Sequence, residues 1–322
     1  MSLTDLQVFN DQVQSSATEI VAQEVDKFNA ASNGAIVLTG GANQGDYNET
    51  AMYKKIAGLV RDRDAYATGA VSAVDLEDLL ARSVKCAAGT PPVNIDPRFM
   101  SWLQRNMGEA VATISTQMAG DMLQNKLNKA IGAFVGALRN ADSGAGDRLY
   151  DGTASTATLA SLNNGSALLG DRSSQLAAWV MHSKSIHDIY GTALTNTERL
   201  FKFEGVQVVS DGFGRPLIVT DSTNLVETGS PNGYYQCGIV GGGIALEDNG
   251  DFITNVETSN GDENIQRTFQ AEWSYNVGLK GYAWDATNGG ASPTNAEVLT
   301  GSNWDQISTD VKDTAGVLVL TR

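Results

Sequence analysis

The sequence is poor in the residues that build metal sites and disulfide frameworks. Its 322 residues include two cysteines, Cys86 and Cys237, which lie far apart among apolar neighbours. A disulfide framework or a zinc site needs more ligands than this, so we expect both to be buried thiols. The two histidines, His182 and His187, have no cysteine or carboxylate partner that would complete a metal set. No metal and no cofactor is therefore expected.

Long apolar runs and an excess of basic residues are also missing. No stretch has the ~18 consecutive apolar residues of a membrane span, and the first residues, MSLTDLQVFNDQ, lack the basic start and apolar run of a secretory signal. We therefore expect synthesis inside the cell and no membrane partner. The net charge is −15, which argues against a basic groove for gripping DNA, because that binding needs phosphate neutralisation. An acidic surface can still lie beside DNA without adhering to it, and acidity also keeps an abundant protein soluble.

Catalytic signatures are absent as well. Neither G-x-S-x-G nor a P-loop occurs. The glycines at 241–243 are followed by no Lys-Ser or Lys-Thr pair, which favours a turn or close backbone packing. Residues 248–251 resemble a calcium loop only in part, because the ligand alternation and the closing glutamate are missing. No acid–base pair can be named, so the sequence predicts no enzyme.

The longest pattern in the chain is helical and covers residues 97–140. Large apolar residues recur there three or four positions apart, as on one face of a helix. Asp96 suits the N-cap, Pro97 suits the first helical position, and the breaker-rich ADSGAG at 141–146 ends the pattern. An unbroken helix would be ~65 Å long. Its glycines each weaken it by ~1 kcal/mol relative to alanine, so a bend or two helices in series stays open. These glycines are Gly108, Gly120, Gly132 and Gly136.

Two segments before this helix predict parts that reach outward. Residues 1–33 carry an apolar stripe at helical spacing, typical of an amphipathic arm that docks on its own domain or on a neighbouring subunit. Residues 34–64 contain a strand at 35–39, a glycine-rich connection and a second mixed strand near 53–64. Little in this stretch could fill a core, so we expect a projecting hairpin. Residues 75–86 are predicted to form a short helix that runs towards a strand.

The second half of the chain favours strands. Residues 176–182 are an apolar run typical of a buried strand or helix end, and residues 183–190 predict a helix that starts at a serine cap. Further signals are β-branched runs within 203–221, the hairpin dipeptides Asn249-Gly250 and Asn260-Gly261, and a terminal strand at 316–320. A long helix, a mixed segment and then strands indicate the α+β fold class rather than a βαβ alternation.

This order of parts resembles the major capsid protein of tailed bacteriophages, the Hong Kong ninety-seven type. Three strings strengthen the resemblance: LAAWVMHSKSIHDIY at 176–190, FEGVQVVSDGFGRPLIVTD at 203–221 and SYNVGLKGYAWD at 274–285. The family implies a structural head protein that assembles as pentamers and hexamers into an icosahedral shell around double-stranded DNA. A tail-tube or surface-layer assembly protein is the alternative, and an unrecognised hydrolase is a third.

The resemblance also implies domains, partners and a location. The partners would be further copies of the chain, a separate scaffolding protein, a portal protein and packaged DNA by proximity, with a decoration protein left open. No extra domain precedes the arm, so we expect no N-terminal cleavage. The place would be the virion, after synthesis in the host bacterial cytoplasm. The domains would be an N-terminal arm (1–33), an extended loop over a neighbour (34–64), a peripheral domain (65–140) with a spine helix (97–140), an axial domain (141–245), returning peripheral strands (246–285) and a C-terminal extension (286–322).

Specific residues follow from the same resemblance. Some members cross-link a lysine of the extended loop to an asparagine of a neighbour, and Lys54 and Lys55 lie in that region, with an ordinary ion pair as the alternative. On a strand, Arg61 and Arg63 would share one face and could set the register across a subunit boundary. A subunit that fits both five-fold and six-fold settings needs hinges. We expect these hinges at Gly34, Gly40, Gly41 and Gly69.

Overall fold

Two seven-stranded sheets and one long helix form the framework of the protein, in agreement with the predicted α+β class. The computed structural model describes residues 3–41, 45–53, 62–73, 75, 78–95, 107–141, 148–195, 209–210, 214–260, 263, 265–308 and 310–322. Its helices are α1 (Leu3–Ala31), α2 (Met107–Ala141), α3 (Leu159–Ala167), α4 (Ser183–Thr195) and α5 (Asn295–Leu299).

The long helix is continuous from Met107 to Ala141, about 52 Å at 1.5 Å per residue. The predicted start at 97–106 lies outside the described residues. Within the described range there is no break between two helices, so the alternative of two helices in series is wrong there. The alternative of a bend stays a prediction. Two of its glycines mark close packing: a Cβ on Gly136 would lie 2.6 Å from the Leu299 carbonyl oxygen, and one on Gly132 would lie 2.8 Å from the Asn224 side chain. A Cβ on Gly108 or Gly120 would meet nothing within 4 Å.

The first sheet is built on strand β13 (Gln266–Leu279), which is 14 residues long. The strand order is β1-β11-β13-β3-β2, and β12 and β4 also pair with β13. The other strands are β1 (Ile36–Gly40), β2 (Tyr47–Tyr53), β3 (Asp78–Gly89), β4 (Val93–Asn94), β11 (Ile244–Asp248) and β12 (Ile253–Ser259). The helix predicted at 75–86 is wrong, because most of that segment is strand β3. Pairing with β2 on one side and β13 on the other outweighs its local helical preference.

The projecting hairpin differs from the expected one. Strand β2 pairs with β3, from Tyr47 opposite Val84 to Tyr53 opposite Asp78, so the returning strand is β3 and not a strand near 53–64. Residues 54–61 lie outside the described residues, and residues 62–64 are not in a strand. Strand β1 is not part of the hairpin, because it pairs in parallel with β11. We call the segment between β2 and β3, residues 54–77, the excursion.

The two predicted hairpin dipeptides have different outcomes. Strands β12 and β13 do form a hairpin around 260–265, with Ser259 opposite Gln266. Asn249-Gly250 does not make a hairpin, because β11 and β12 follow one another along the same edge of β13. Between them, the Asp251 carboxylate accepts the Ser274 N–H at 2.7 Å and so replaces a ladder hydrogen bond.

Helix α1 docks on its own domain, one of the two alternatives for the arm. Phe9, Val13, Ala17 and Val21 recur every four residues and are buried. The helix also covers sheet edges. The Asn29 side chain accepts the N–H of Leu38 and donates to its carbonyl, both at 2.9 Å, as a neighbouring strand would.

The second sheet has the order β5-β16-β10-β6-β8-β7, with β9 beside β10. Of the two alternatives for residues 176–182, the buried strand is confirmed by β6 and the helix end is wrong. The helix predicted at 183–190 is confirmed by α4. The last strand, β16, lies inside this sheet between β5 and β10, so residues 286–322 do not end as a separate extension. All six residues of β16 are buried, as expected for a central strand of a sheet that is covered on both faces. The strands are β5 (Leu149–Gly152), β6 (Leu176–Met181), β7 (Val209–Ser210), β8 (Pro216–Val219), β9 (Val226–Glu227), β10 (Gly233–Val240) and β16 (Gly316–Thr321).

The segment before β16 packs against the end of α2. Strands β14 (Tyr282–Trp284) and β15 (Trp304–Gln306) form the two-stranded sheet. Trp304, isolated in the sequence, is buried against Trp284 with ring centroids 5.0 Å apart, and its indole N–H donates to the Val298 carbonyl.

Candidate assembly surfaces

The described residues hold no cluster of three or more histidine, cysteine and acidic side chains that could bind a metal. His182 accepts the Lys184 N–H at 3.1 Å through Nδ1 and so begins helix α4, while His187 is exposed on that helix. Both cysteines are free and buried, and burial raises the pKa of the Cys86 thiol to about 11. Burial also lowers the pKa of Lys129, whose Nζ donates to the Pro293 carbonyl at 2.5 Å. Cys86, Cys237 and Lys129 thus lie within the packed interior of the protein.

The described residues of the excursion lie on the surface of the protein. Every described residue in it, 62–73 and 75, is exposed. Tyr66 is 93% exposed and Val71 is 58% exposed, although aromatic and branched apolar side chains gain most from leaving water. The Asp64 carboxylate accepts the Tyr66 N–H at 2.9 Å, within a turn whose residues are exposed. Residues 62–73 are thus the longest run of exposed residues in the described part of the chain.

The interface residues predicted from the sequence fall on this segment. Arg63 is exposed and lies outside any strand. Lys54, Lys55 and Arg61 lie outside the described residues. The base of the hairpin is firmly held, because the Arg82 guanidinium contacts the Glu49 carboxylate at 2.7 Å and Asn48 donates to Glu247 at 3.1 Å.

The four predicted hinge glycines lie in different surroundings. Gly34 has a positive φ of 70°, and its carbonyl accepts the Gly242 N–H at 2.7 Å, so motion there would break a turn. A Cβ on Gly40 or Gly69 would meet nothing within 4 Å, whereas one on Gly41 would lie 3.0 Å from the Glu247 Cβ. Gly40 and Gly69 therefore have the most room.

A groove of about 720 Å³ lies along helix α1, and sequence reasoning missed it. Helix α1 forms one wall, and β1, β11 and α2 form the others. At its polar end the buried Lys126 ammonium pairs with the Asp248 carboxylate, and the Tyr275 hydroxyl donates to Asn125 at 2.7 Å. No sequence signal could have shown it, because its walls come from segments more than 200 residues apart. We call it the α1 groove.

Comparison with known proteins identifies the family of the chain. The family model described as Gp13-like, major capsid protein 13-like, matches residues 5–318. The chain belongs to the Gp13-like family of major capsid proteins. It is therefore a structural protein of a phage capsid shell, and the fold predicted by resemblance is confirmed. No curated protein is significantly similar to it in sequence.

Solved capsids share the fold of this Gp13-like protein at low sequence identity. The capsid of cyanophage Pam1 is 14% identical, with a TM-score of 0.51, over 87% of this chain and 85% of that one. The head of Helicobacter pylori bacteriophage KHP40 is 11% identical, with a TM-score of 0.51, over 90% and 88%. A chain of the solved structure of Microbacterium phage Oxtober96 is 11% identical, with a TM-score of 0.51, over 91% of each chain. Of the described helices of this Gp13-like protein, none has the length and apolar character for crossing a membrane.

Proposed function

We propose that copies of this major capsid protein associate as pentamers and hexamers into an icosahedral shell around double-stranded DNA, and that the excursion of each copy lies over a neighbour. The exposure of residues 62–73, with Tyr66 at 93%, carries the proposal. A segment that makes so few contacts in its own chain gains order only when another surface covers it. The same contact repeated around a closed shell is multivalent, so modest interfaces suffice.

The residue roles follow from this arrangement. Lys54, Lys55, Arg61 and Arg63 contact the neighbour, where either lysine could form a covalent cross-link in place of an ion pair. Gly40, Gly41 and Gly69 let the excursion adjust between five-fold and six-fold positions. Gly34 and Gly41 are each held by a backbone hydrogen bond of 2.7 Å, to the Gly242 N–H and to the Asp248 carbonyl, so moving either one would break such a bond.

The remaining partners belong to the same proposal. A separate scaffolding protein directs assembly in the host bacterial cytoplasm, and a portal protein occupies one vertex. A decoration protein is a further candidate partner. The net charge of −15 keeps packaged DNA from adhering, so the DNA lies beside the shell without being bound specifically. The role of the chain is structural and not catalytic. A shell whose inner surface proved basic would contradict this part.

Electron microscopy of the purified chain, with and without its scaffolding protein, tests the proposal. We expect closed shells from the native sequence. Replacing residues 62–73 by a Gly-Ser linker of equal length should leave a folded subunit that forms no closed shells, because the covering contact is lost. Arg63→Glu should weaken assembly more than Lys280→Glu, a matched charge reversal at an exposed turn. Rods or flat sheets from the native chain would instead favour a tail-tube or surface-layer protein.

A further inference from the structure

The chain passes from the second sheet to the first through three glycines. Strand β10 ends at Val240, β11 begins at Ile244, and residues 241–243 join them. We call this connection the crossover. Glycine adopts more backbone conformations than any other residue, and Gly242 has a positive φ of 65° with open space around its Cα. The crossover therefore has the backbone freedom for the two sheets to turn relative to each other.

The turn that follows α1 holds the middle of the crossover. The Gly34 carbonyl accepts the Gly242 N–H at 2.7 Å. The Asn33 side chain donates to the Ala177 carbonyl of β6, in the second sheet, at 3.4 Å. The chain then continues into β1, which pairs with β11 in the first sheet. One short turn thus contacts the crossover and links the two sheets that the crossover joins.

The backbone of this turn is unusual for the end of a helix. A single left-handed residue commonly ends a helix, but here Asn33 and Gly34 follow one another with φ of 52° and 70°. Within the described part of the chain, Ser292 is the one other residue besides glycine that has a positive φ. This conformation costs a residue with a side chain some free energy. The surrounding contacts of the turn therefore maintain it.

Helix α2 also packs against both sheets, but through contacts of a different kind. It touches β13 in the first sheet and β10 and β16 in the second. Apolar packing has no preferred direction, so a helix packed in this way permits small rotations of the sheets. A hydrogen bond weakens steeply when its angle changes. The directional contacts of the turn after α1 are thus better suited to fix an angle.

We infer that the turn at residues 32–35 is a latch that fixes the angle between the two sheets. While the contacts of Asn33 and Gly34 hold, the crossover keeps one conformation. When these contacts break, the sheets turn about the crossover. Because α1 ends in the latch, a partner that shifts α1 changes the angle between the sheets. The inference concerns the shape of a single subunit and so goes beyond the proposed assembly.

Distance measurements on unassembled subunits test the latch. Nitroxide labels are attached at Gln270→Cys on β13 and at Val219→Cys on β8, two exposed positions in different sheets. Double electron–electron resonance then gives the distribution of distances between the labels. A fixed angle between the sheets should give a narrow distribution in the native background.

Two variants of α1 and its turn differ only in the sheet that they release. Asn33→Asp keeps the shape of the side chain, removes the N–H donor and places a carboxylate against the Ala177 carbonyl. Asn29→Asp makes the same change one helical turn earlier, where the partner is the Leu38 carbonyl of β1 in the first sheet. We expect Asn33→Asp to broaden the distance distribution at least twofold and Asn29→Asp to leave it at the native width.

A second matched pair acts on the crossover itself. Gly242 and Gly250 have φ of 65° and 68°, and a Cβ on either would meet nothing within 4 Å. Gly250 lies between β11 and β12, inside the first sheet. We expect Gly242→Ala to broaden the distribution and Gly250→Ala to keep the native width. Equal widths within either pair would overturn the inference. Native protein that forms no shells would overturn only the proposed function, because this test uses unassembled subunits.

Discussion

The two seven-stranded sheets differ in how much of their surface the chain itself covers. In the second sheet, every residue of β6 and β16 is buried. In the first sheet, β12 has a single buried residue, Thr254, and residues 49–51 of the edge strand β2 are exposed. Both sheets have the same number of strands, so the contrast lies in their surroundings.

This difference indicates which parts of the subunit fold alone and which await a neighbour. The second sheet closes around its own core, where a Cβ on Gly238 would lie 2.9 Å from the Trp179 ring. The first sheet is buried near α1 and α2, and its hairpins run out from that support. In the proposed shell, we expect neighbouring copies to cover the surfaces that the first sheet leaves open.

The largest expected effect is the loss of Trp179 from the second sheet. Trp179→Ala should destabilise the subunit by about 3–5 kcal/mol, since it empties a site packed on all sides. Tyr66→Ala, in the excursion, should change stability by less than about 0.5 kcal/mol and yet impair shell formation. Urea unfolding followed by circular dichroism measures the first quantity, and particle counts by microscopy measure the second. Similar losses of stability in both variants would break the comparison.

The next effect compares two glycines on one helix. Gly136→Ala should cost about 1–3 kcal/mol, because its Cβ would lie 2.6 Å from the Leu299 carbonyl and 2.8 Å from that of Val298. Gly120 is exposed with open space around it, so Gly120→Ala should stabilise the helix by up to about 1 kcal/mol. Thermal unfolding of both variants beside the native chain tests this. A destabilised Gly120→Ala would show that the exposed half of α2 is more constrained than the structure indicates.

Gly120 and Gly136 show which features the sequence alone could predict and which it could not. The 3.6-residue period predicted α2, because that pattern arises within one segment. The sequence could not say which glycines accommodate a neighbour, since the Leu299 carbonyl arrives from a distant part of the chain. The helix predicted over residues 75–86 was wrong for the same reason, because pairing with two partner strands decided the conformation of that segment.

The assembly surfaces were likewise predictable from the sequence only in part. A polar, glycine-rich stretch indicated an outward segment, and the structure agrees in the exposure of residues 62–73. Its return through β3 could not be foreseen, because the register of two strands depends on contacts between them. The α1 groove was also beyond reach, as α1, β1, α2 and β11 meet only in the folded chain.

A smaller effect uses one thiol in each sheet. Cys86 lies on β3 and Cys237 on β10, and both are buried. Burial raises the pKa of both thiols, and only the thiolate reacts, so alkylation in the folded subunit requires local opening. We expect Cys86 to react at least about tenfold faster than Cys237, equivalent to about 1.4 kcal/mol less opening free energy. Mass spectrometry after timed iodoacetamide labelling measures both rates. Equal rates would mean that the two sheets open as one unit.

The smallest effect concerns the cap at the start of α5, the short helix that packs against α2. The Thr294 N–H and hydroxyl both donate to the Glu297 carboxylate, at 2.7 and 2.8 Å, and these bonds hold the pKa of Glu297 below its usual value. A depressed carboxyl pKa contributes stability above the unfolded value of about 4.3, and that contribution is lost as pH falls through the folded pKa. Glu297→Gln should therefore lower the melting temperature slightly at pH 7, and the difference from the native chain should vanish in more acidic solution. Melting curves from pH 7 to pH 3 test this, with exposed Glu109→Gln on α2 as the matched control. A difference that persists in acid would assign the loss to packing and not to the charge of the cap.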